Sequence, residues 1–226
     1  MSARDLVLGS IRRALSVTGE EASRKKIVAD RIAGHPRGVI PARGQLPAAE
    51  RIALFLARVE IAAGTTARVA QDEDVPAAIA AYVRDSGLPL AARRGADARL
   101  AALPWERVPD LAVSVGASVG DDPVGVSHAY GAVAETGTLV LLSGPDNPTT
   151  LNFLPDHHLV VVDAASVAGD LETVLAGLRE ARGAGGLPRA VHLVTGPSRT
   201  ADIEQTLILG AHGPRRLHVI VVGEAA

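Results

Sequence analysis

HLVVVD at residues 158–163 and LHVIVVG at 217–223 each hold four consecutive apolar residues, closed by Asp163 or Gly223. A strand with one face in water alternates polar and apolar side chains, so an unbroken run implies burial on both faces, as in a sheet covered by helices. LAVSVG (111–116), GTLVLLS (137–143) and AVHLVTG (190–196) repeat the pattern. Helical patterns at about 169–182 and about 200–209 lie between the later runs, giving the strand–helix alternation of a parallel sheet. Upstream, Ile52, Leu56 and Val59 recur at helical spacing and predict a helix over 48–63 that stops at Gly64. A second helix is expected over 75–86, and short strands at Ala67–Ala70 and Leu88–Ala92. The predicted fold class is α/β, a mainly parallel sheet flanked by helices.

Ahead of this domain, assigned to residues 48–226, residues 1–47 read as a helical extension followed by a connector. MSARDLVLGSIRRALS places Leu6, Val7, Ile11 and Leu15 on one helical face, and Asp5 argues against a signal peptide. Residues 18–47, punctuated by Gly34, Pro36, Gly38, Pro41, Gly44 and Pro47, read as extended. No run reaches the roughly 20 apolar residues of a membrane span, and a cytoplasmic location is expected. A net charge of -2 and only five aromatic residues disfavour nucleic-acid binding. The sequence has no cysteine, which excludes disulfides, a Cys nucleophile and an iron–sulfur cluster ligated conventionally by this chain. The histidines form no HxxxH or HxH pair, and no GxGxxG turn follows a strand, so no metal, flavin or nicotinamide is expected.

Four segments carry candidate chemistry. Thr195-Gly-Pro-Ser-Arg-Thr200 follows a strand and leads into Asp202 and Glu204. Its exposed N–H groups with Ser198, Arg199 and Thr200 suit a phosphate or carboxylate, while Ser198 or Thr200 equally suits a helix cap, with Asp202 favourable in the first turn. Glu135-Thr136-Gly137-Thr138 sits on a glycine turn, where Glu135 is either a nucleophile, base or anchor, or the partner of an arginine. The loop Gly144–His158 ends in adjacent histidines that point to opposite faces of a strand, so one of them, assigned as His157, faces a ligand crevice at the carboxyl end of the sheet. Gly210-Ala-His-Gly-Pro214 turns into the last strand, with His212 and Gly213 either in a ligand site or closing a helix end. Glu135 and the Ser198–Thr200 turn are expected to share one crevice at the carboxyl ends of the strands, provided that the Glu135 turn folds back or its strand runs antiparallel.

Taken together, AETGT (134–138), LPDHH (154–158), TGPSRTADIE (195–204) and GAHGP (210–214) resemble the LUD domain family, most closely its lactate-utilisation C type. The resemblance implies an α/β fold similar to the ribose-phosphate isomerase and CoA-transferase superfamily. It further implies a role with two iron–sulfur partner proteins in oxidising L-lactate to pyruvate, with this chain, lacking cysteine, holding no redox centre and binding a small anionic metabolite. Glu135-Thr136-Gly137 is similar to the glutamate-x-glycine turn of some CoA transferases, which implies a nucleophilic Glu135. The sequence departs from that motif at Thr136 and has no recognisable CoA loop. A stand-alone enzyme acting on a phosphorylated or CoA-linked molecule is the alternative implication.

Overall fold

The computed structural model describes residues 2–183, 186–200 and 208–224, and the chain divides into two compact units, Met1–Ile40 and Pro41–Ala226. In the first, helix α1 (Ala3–Ala14) opens on a capping box in which the Ser2 hydroxyl accepts from the Asp5 N–H and the Asp5 carboxylate accepts from the Ser2 N–H. Residues read as an extended connector hold a second helix, α2 (Ala22–Gly34). Its signals are local: Thr18 and Glu21 bond each other and their neighbours' N–H groups, and Lys26 pairs with Asp30 one turn on at 2.7 Å. The flanking glycines and prolines obscure them.

The second unit is layered. A six-stranded sheet with every pairing parallel runs in the order β1 (Thr65–Val69), β12 (Arg216–Val222), β7 (His157–Asp163), β4 (Val124–His128), β2 (Ala91–Arg94), β3 (Ala112–Val115). Against it lies a four-stranded sheet in the order β8 (Val167–Ala168), β5 (Gly131–Val133), β6 (Thr138–Leu142), β9 (Val191–Val194), where β6 runs antiparallel to both neighbours. The runs expected in one parallel sheet are thus shared between two sheets. Side-chain parity explains why the sequence reads alike in both. Val160 and Val162 of β7 and Val219 and Val221 of β12 face the small sheet's Leu139 and Leu141 and helix α3 (Ala48–Ile61), whereas Leu159, Val161 and Ile220 face helix α4 (Val75–Asp85). Val140 points outward to Val174 of helix α7 (Leu171–Arg182). Both sheets are covered on both faces, so hydrophobicity alone does not separate them. Two of the runs are edge strands, and there Val115 and Leu193 are about half exposed.

The helices predicted over 48–63, 75–86 and 169–182 are α3, α4 and α7. Helix α3 buries Ile52, Phe55 and Val59. The stop at Gly64 works differently from a left-handed glycine cap. Ala63 takes the left-handed conformation (φ 66°), with its N–H on the Glu60 carbonyl and the Gly64 N–H on the Val59 carbonyl, both at 2.9 Å. A side chain at Gly64 would press on Val59 at 2.7 Å, so glycine there serves packing. Left-handed backbone costs a non-glycine residue about 1–2 kcal/mol, partly offset by the greater flexibility of glycine in the unfolded chain. Ala63→Gly is therefore expected to raise unfolding free energy by about 0.5–1 kcal/mol, read from urea melts.

The helix expected over 200–209 is not seen at its ends. Strands β10 (Arg199–Thr200) and β11 (Ile208–Leu209) pair antiparallel, held by the Gly210 N–H on the Ser198 carbonyl at 2.9 Å. Asp202 and Glu204 lie outside the described residues. No helix among the described residues is long and apolar enough to cross a membrane.

Candidate functional site

Three of the four segments converge at the amino end of the large sheet. A cavity of about 280 Å³ is walled by the β9–β10 turn, the turn ahead of β12, helix α6 (Thr149–Phe153) and the first residues of β7. The turn after β9 is fixed by Gly196, whose φ of 75° and close approach to the Ala62 carbonyl leave no room for a side chain. The Ser198 N–H donates to the Pro214 carbonyl at 2.9 Å, tying the two turns together. Ser198, His212 and Gly213 then share one wall. Arg199 also borders the cavity, but its guanidinium donates to the Ala62 carbonyl at the end of α3, so one of its forks is already used. Thr200 stands beyond, in β10.

The floor is a buried polar chain that the sequence does not announce. Ser127 Oγ donates to Asn152 Oδ1 at 2.5 Å, which uses its one proton, so His158 Nε2 at 3.0 Å must be the donor to Ser127. Burial without a charged neighbour pushes the His158 imidazole down to about 3, leaving the ring neutral. Asn152 is 1% exposed, and its Nδ2 has no hydrogen-bond partner. A buried N–H left unpaired costs about 1–3 kcal/mol, and the residue that carries this one lines the cavity. The members come from β4, α6 and β7, which only the fold brings together.

His157, the neighbour of His158, faces the other way. Its Nδ1 meets the Tyr82 hydroxyl at 2.9 Å, and Tyr82 stacks on His218 with ring centroids 4.4 Å apart. The opposite-face argument holds, but the ligand-binding role expected of His157 does not: His158 is the one that lines the cavity, and that cavity lies at the amino end of the sheet and not at its carboxyl end.

Glu135 is not among the cavity's lining residues. It is buried, its N–H donates to the Gly169 carbonyl at 3.3 Å, and its carboxylate lies 3.4 Å from Arg43 Nε. The adjacent backbones of Gly44 and Gly169 touch so closely that either would clash as alanine. This is an ion pair with the arginine that leaves Glu135 Oε2 buried without a hydrogen bond, and the shared crevice expected for Glu135 and the Ser198–Thr200 turn does not form. The antiparallel run of β6 nevertheless links the segments through hydroxyls. Thr136 Oγ1 to Thr138 Oγ1 and Thr138 Oγ1 to Thr195 Oγ1 are both 2.7 Å, ending on a residue that lines the cavity. Gly137 (φ 70°) permits the turn by packing onto the Arg58–Val59 backbone. No group of His, Asp and Glu among the described residues could hold a metal ion.

The sequence model of the LUD domain matches residues 52–222. An uncharacterised protein of Neisseria meningitidis serogroup B is 39% identical over 98 residues, 43% of this chain and 41% of that protein. Lactate utilization protein C of Geobacillus thermodenitrificans is 36% identical over 100 residues (44% and 42%), and that of Shouchella clausii 30% over 101 residues (45% and 44%). The matches span less than half the length of these relatives. Among solved structures, a DUF162 family protein from Deinococcus radiodurans superposes with a TM-score of 0.60 at 25% identity, covering 79% of this chain and 99% of that one. With the match running from α3 to the last strand, the chain belongs to the LUD domain family.

Proposed function

We propose that this chain is the non-redox subunit of a lactate-utilisation system in the cytoplasm, working beside two iron–sulfur partner proteins that oxidise L-lactate to pyruvate, and that its amino-end cavity holds a small keto acid. Support for the system comes from relatives named Lactate utilization protein C and from a sequence without a cysteine to ligate a cluster. The observation that carries the ligand is the buried, unpartnered Asn152 Nδ2 in the cavity floor. A keto or carboxylate oxygen satisfies it, with the Ser198 hydroxyl on the wall as a second donor. Glu135 does not line this cavity, which weighs against a role for that carboxylate on the bound acid.

Calorimetry with pyruvate tests the site. Binding to the isolated chain is expected, and Asn152→Leu should weaken it at least tenfold, about 1.4 kcal/mol, while urea melts establish that the variant is folded. An unchanged affinity removes Asn152 from the site. Anaerobic reconstitution with the two cysteine-rich partners tests the system, since lactate-dependent electron transfer should fall to background when this chain is omitted.

A further inference from the structure

The opposite end of the large sheet carries a second polar concavity. Strands β2, β4 and β7 lie side by side and end at Arg94, His128 and Asp163. The carboxyl ends of neighbouring parallel strands are where open α/β sheets place ligands. A cavity of about 180 Å³ opens there, lined among others by Asp97, Arg99, His128, Tyr130, Asn147 and Arg182.

Its hydrogen-bonding character is the reverse of the amino-end cavity. His128 is buried, and its Nδ1 lies 2.9 Å from the Ala129 carbonyl, to which only an N–H can donate. In the neutral ring that tautomer leaves Nε2 as an acceptor. Nε2 in turn faces the Asp163 carboxylate at 3.6 Å, too long for a direct hydrogen bond. Asn147 is 7% exposed; its Nδ2 donates to the Leu142 carbonyl at 3.2 Å, which fixes the amide orientation and leaves Oδ1 buried and unpartnered. Arg99 does not fill these acceptors, because its guanidinium is spread over Asp97 at 2.8 and 3.1 Å, the Ala129 carbonyl at 3.4 Å and Asp163 at 4.0 Å. Against partial burial, hydrogen bonds from Arg99 hold the Asp97 carboxyl below its usual range, so it stays an ionised acceptor at neutral pH.

We propose that this carboxyl-end cavity is a second small-molecule site, one that selects a short hydroxy acid by its hydroxyl group. The hydroxyl proton satisfies His128 Nε2 or Asn147 Oδ1, and the carboxylate turns outward to Arg182 on the last turn of α7. The choice of acid rests on the lactate reading; the requirement for a hydroxyl donor does not. A site built of buried acceptors rejects the analogue that lacks the donor, since the acceptors are then left dry and unpaired.

The test compares L-lactate with propionate, which differs by the hydroxyl alone, on the full chain carrying Asn152→Leu so that the amino-end cavity contributes little. Titrations are followed by calorimetry and by the ring resonances of His128 and His158. L-lactate is expected to bind at least tenfold tighter than propionate and to shift His128. His128→Phe, which keeps the ring volume, and Asn147→Leu should each erode that preference. Equal affinities, no binding, or a response confined to His158 overturns the proposal. The amino-end reading fails separately, when Asn152→Leu leaves pyruvate affinity unchanged, whatever His128 does.

Discussion

Lowering the pH from 7 to 5 is expected to cost the fold about 4 kcal/mol, through two buried histidines. Burial pushes the His158 ring down to about 3 and the His218 ring down to about 4, from an ordinary value of 6.5. Between pH 6.5 and those values the unfolded chain binds protons that the folded chain refuses, so stability is complete above pH 6.5 and declines as pH falls. At pH 5 each ring lies about 1.5 units below the unfolded midpoint, or about 2 kcal/mol. Nε2 of His158 already carries a proton, donated to Ser127, so acid must protonate the other ring nitrogen and place a full charge in the core, with burial the cause that opposes it. His218 is enclosed by the Tyr82 stack and by Thr65, whose hydroxyl lies 2.8 Å from its Nδ1. Burial also lowers His157 and His192, and these more exposed rings add smaller contributions of the same sign. Against a typical total of about 5–15 kcal/mol the loss is large. Urea denaturation at the two pH values measures it, and His158→Gln should remove about half of the difference. A variant that keeps the full pH dependence would place the proton uptake elsewhere.

Much of the fold was legible because local signals set it. The apolar runs at 158–163 and 217–223 became the buried central strands β7 and β12, and α3 buries the face marked by Ile52 and Val59. What the sequence could not assign was partnership. A run such as GTLVLLS is buried on both faces whether its neighbours run parallel or antiparallel, and only tertiary packing put β6 into the small sheet. The same holds for the sites. Ser198, His212 and Gly213 lie in motifs dense with glycine and proline, which mark turns, and these do meet around one cavity. Asn152, Ser127 and His158 carry no such marking; their hydrogen bonds join residues 25 and 31 positions apart. His128 and Asp163 each close an apolar strand with a polar residue, a sign visible in the sequence but shared by many strand ends.

Gly196→Ala is expected to destabilise the protein by about 2–5 kcal/mol and to abolish pyruvate binding in whatever fraction remains folded. Two penalties act on the same atom. The backbone at Gly196 is left-handed, φ 75°, which costs an alanine about 1–2 kcal/mol. The added methyl would also stand 2.2 Å from the Ala62 carbonyl oxygen. That oxygen cannot rotate away as a side chain would, because it ends helix α3 and accepts from Arg199, so either the turn or the helix end must move, at about 1–3 kcal/mol. Movement of the turn carries Ser198 with it and opens the seam where the Ser198 N–H meets the Pro214 carbonyl. Gly213→Ala is the control on the facing turn: its methyl would approach Ser198 Cβ at 3.2 Å, a contact relieved by a few tenths of an ångström, and should cost under about 1 kcal/mol. Thermal or urea melts of the pair separate the possibilities. Similar small losses for both would mean that the Thr195–Arg199 turn is not anchored on α3, and the cavity wall built on that anchor would fall with it.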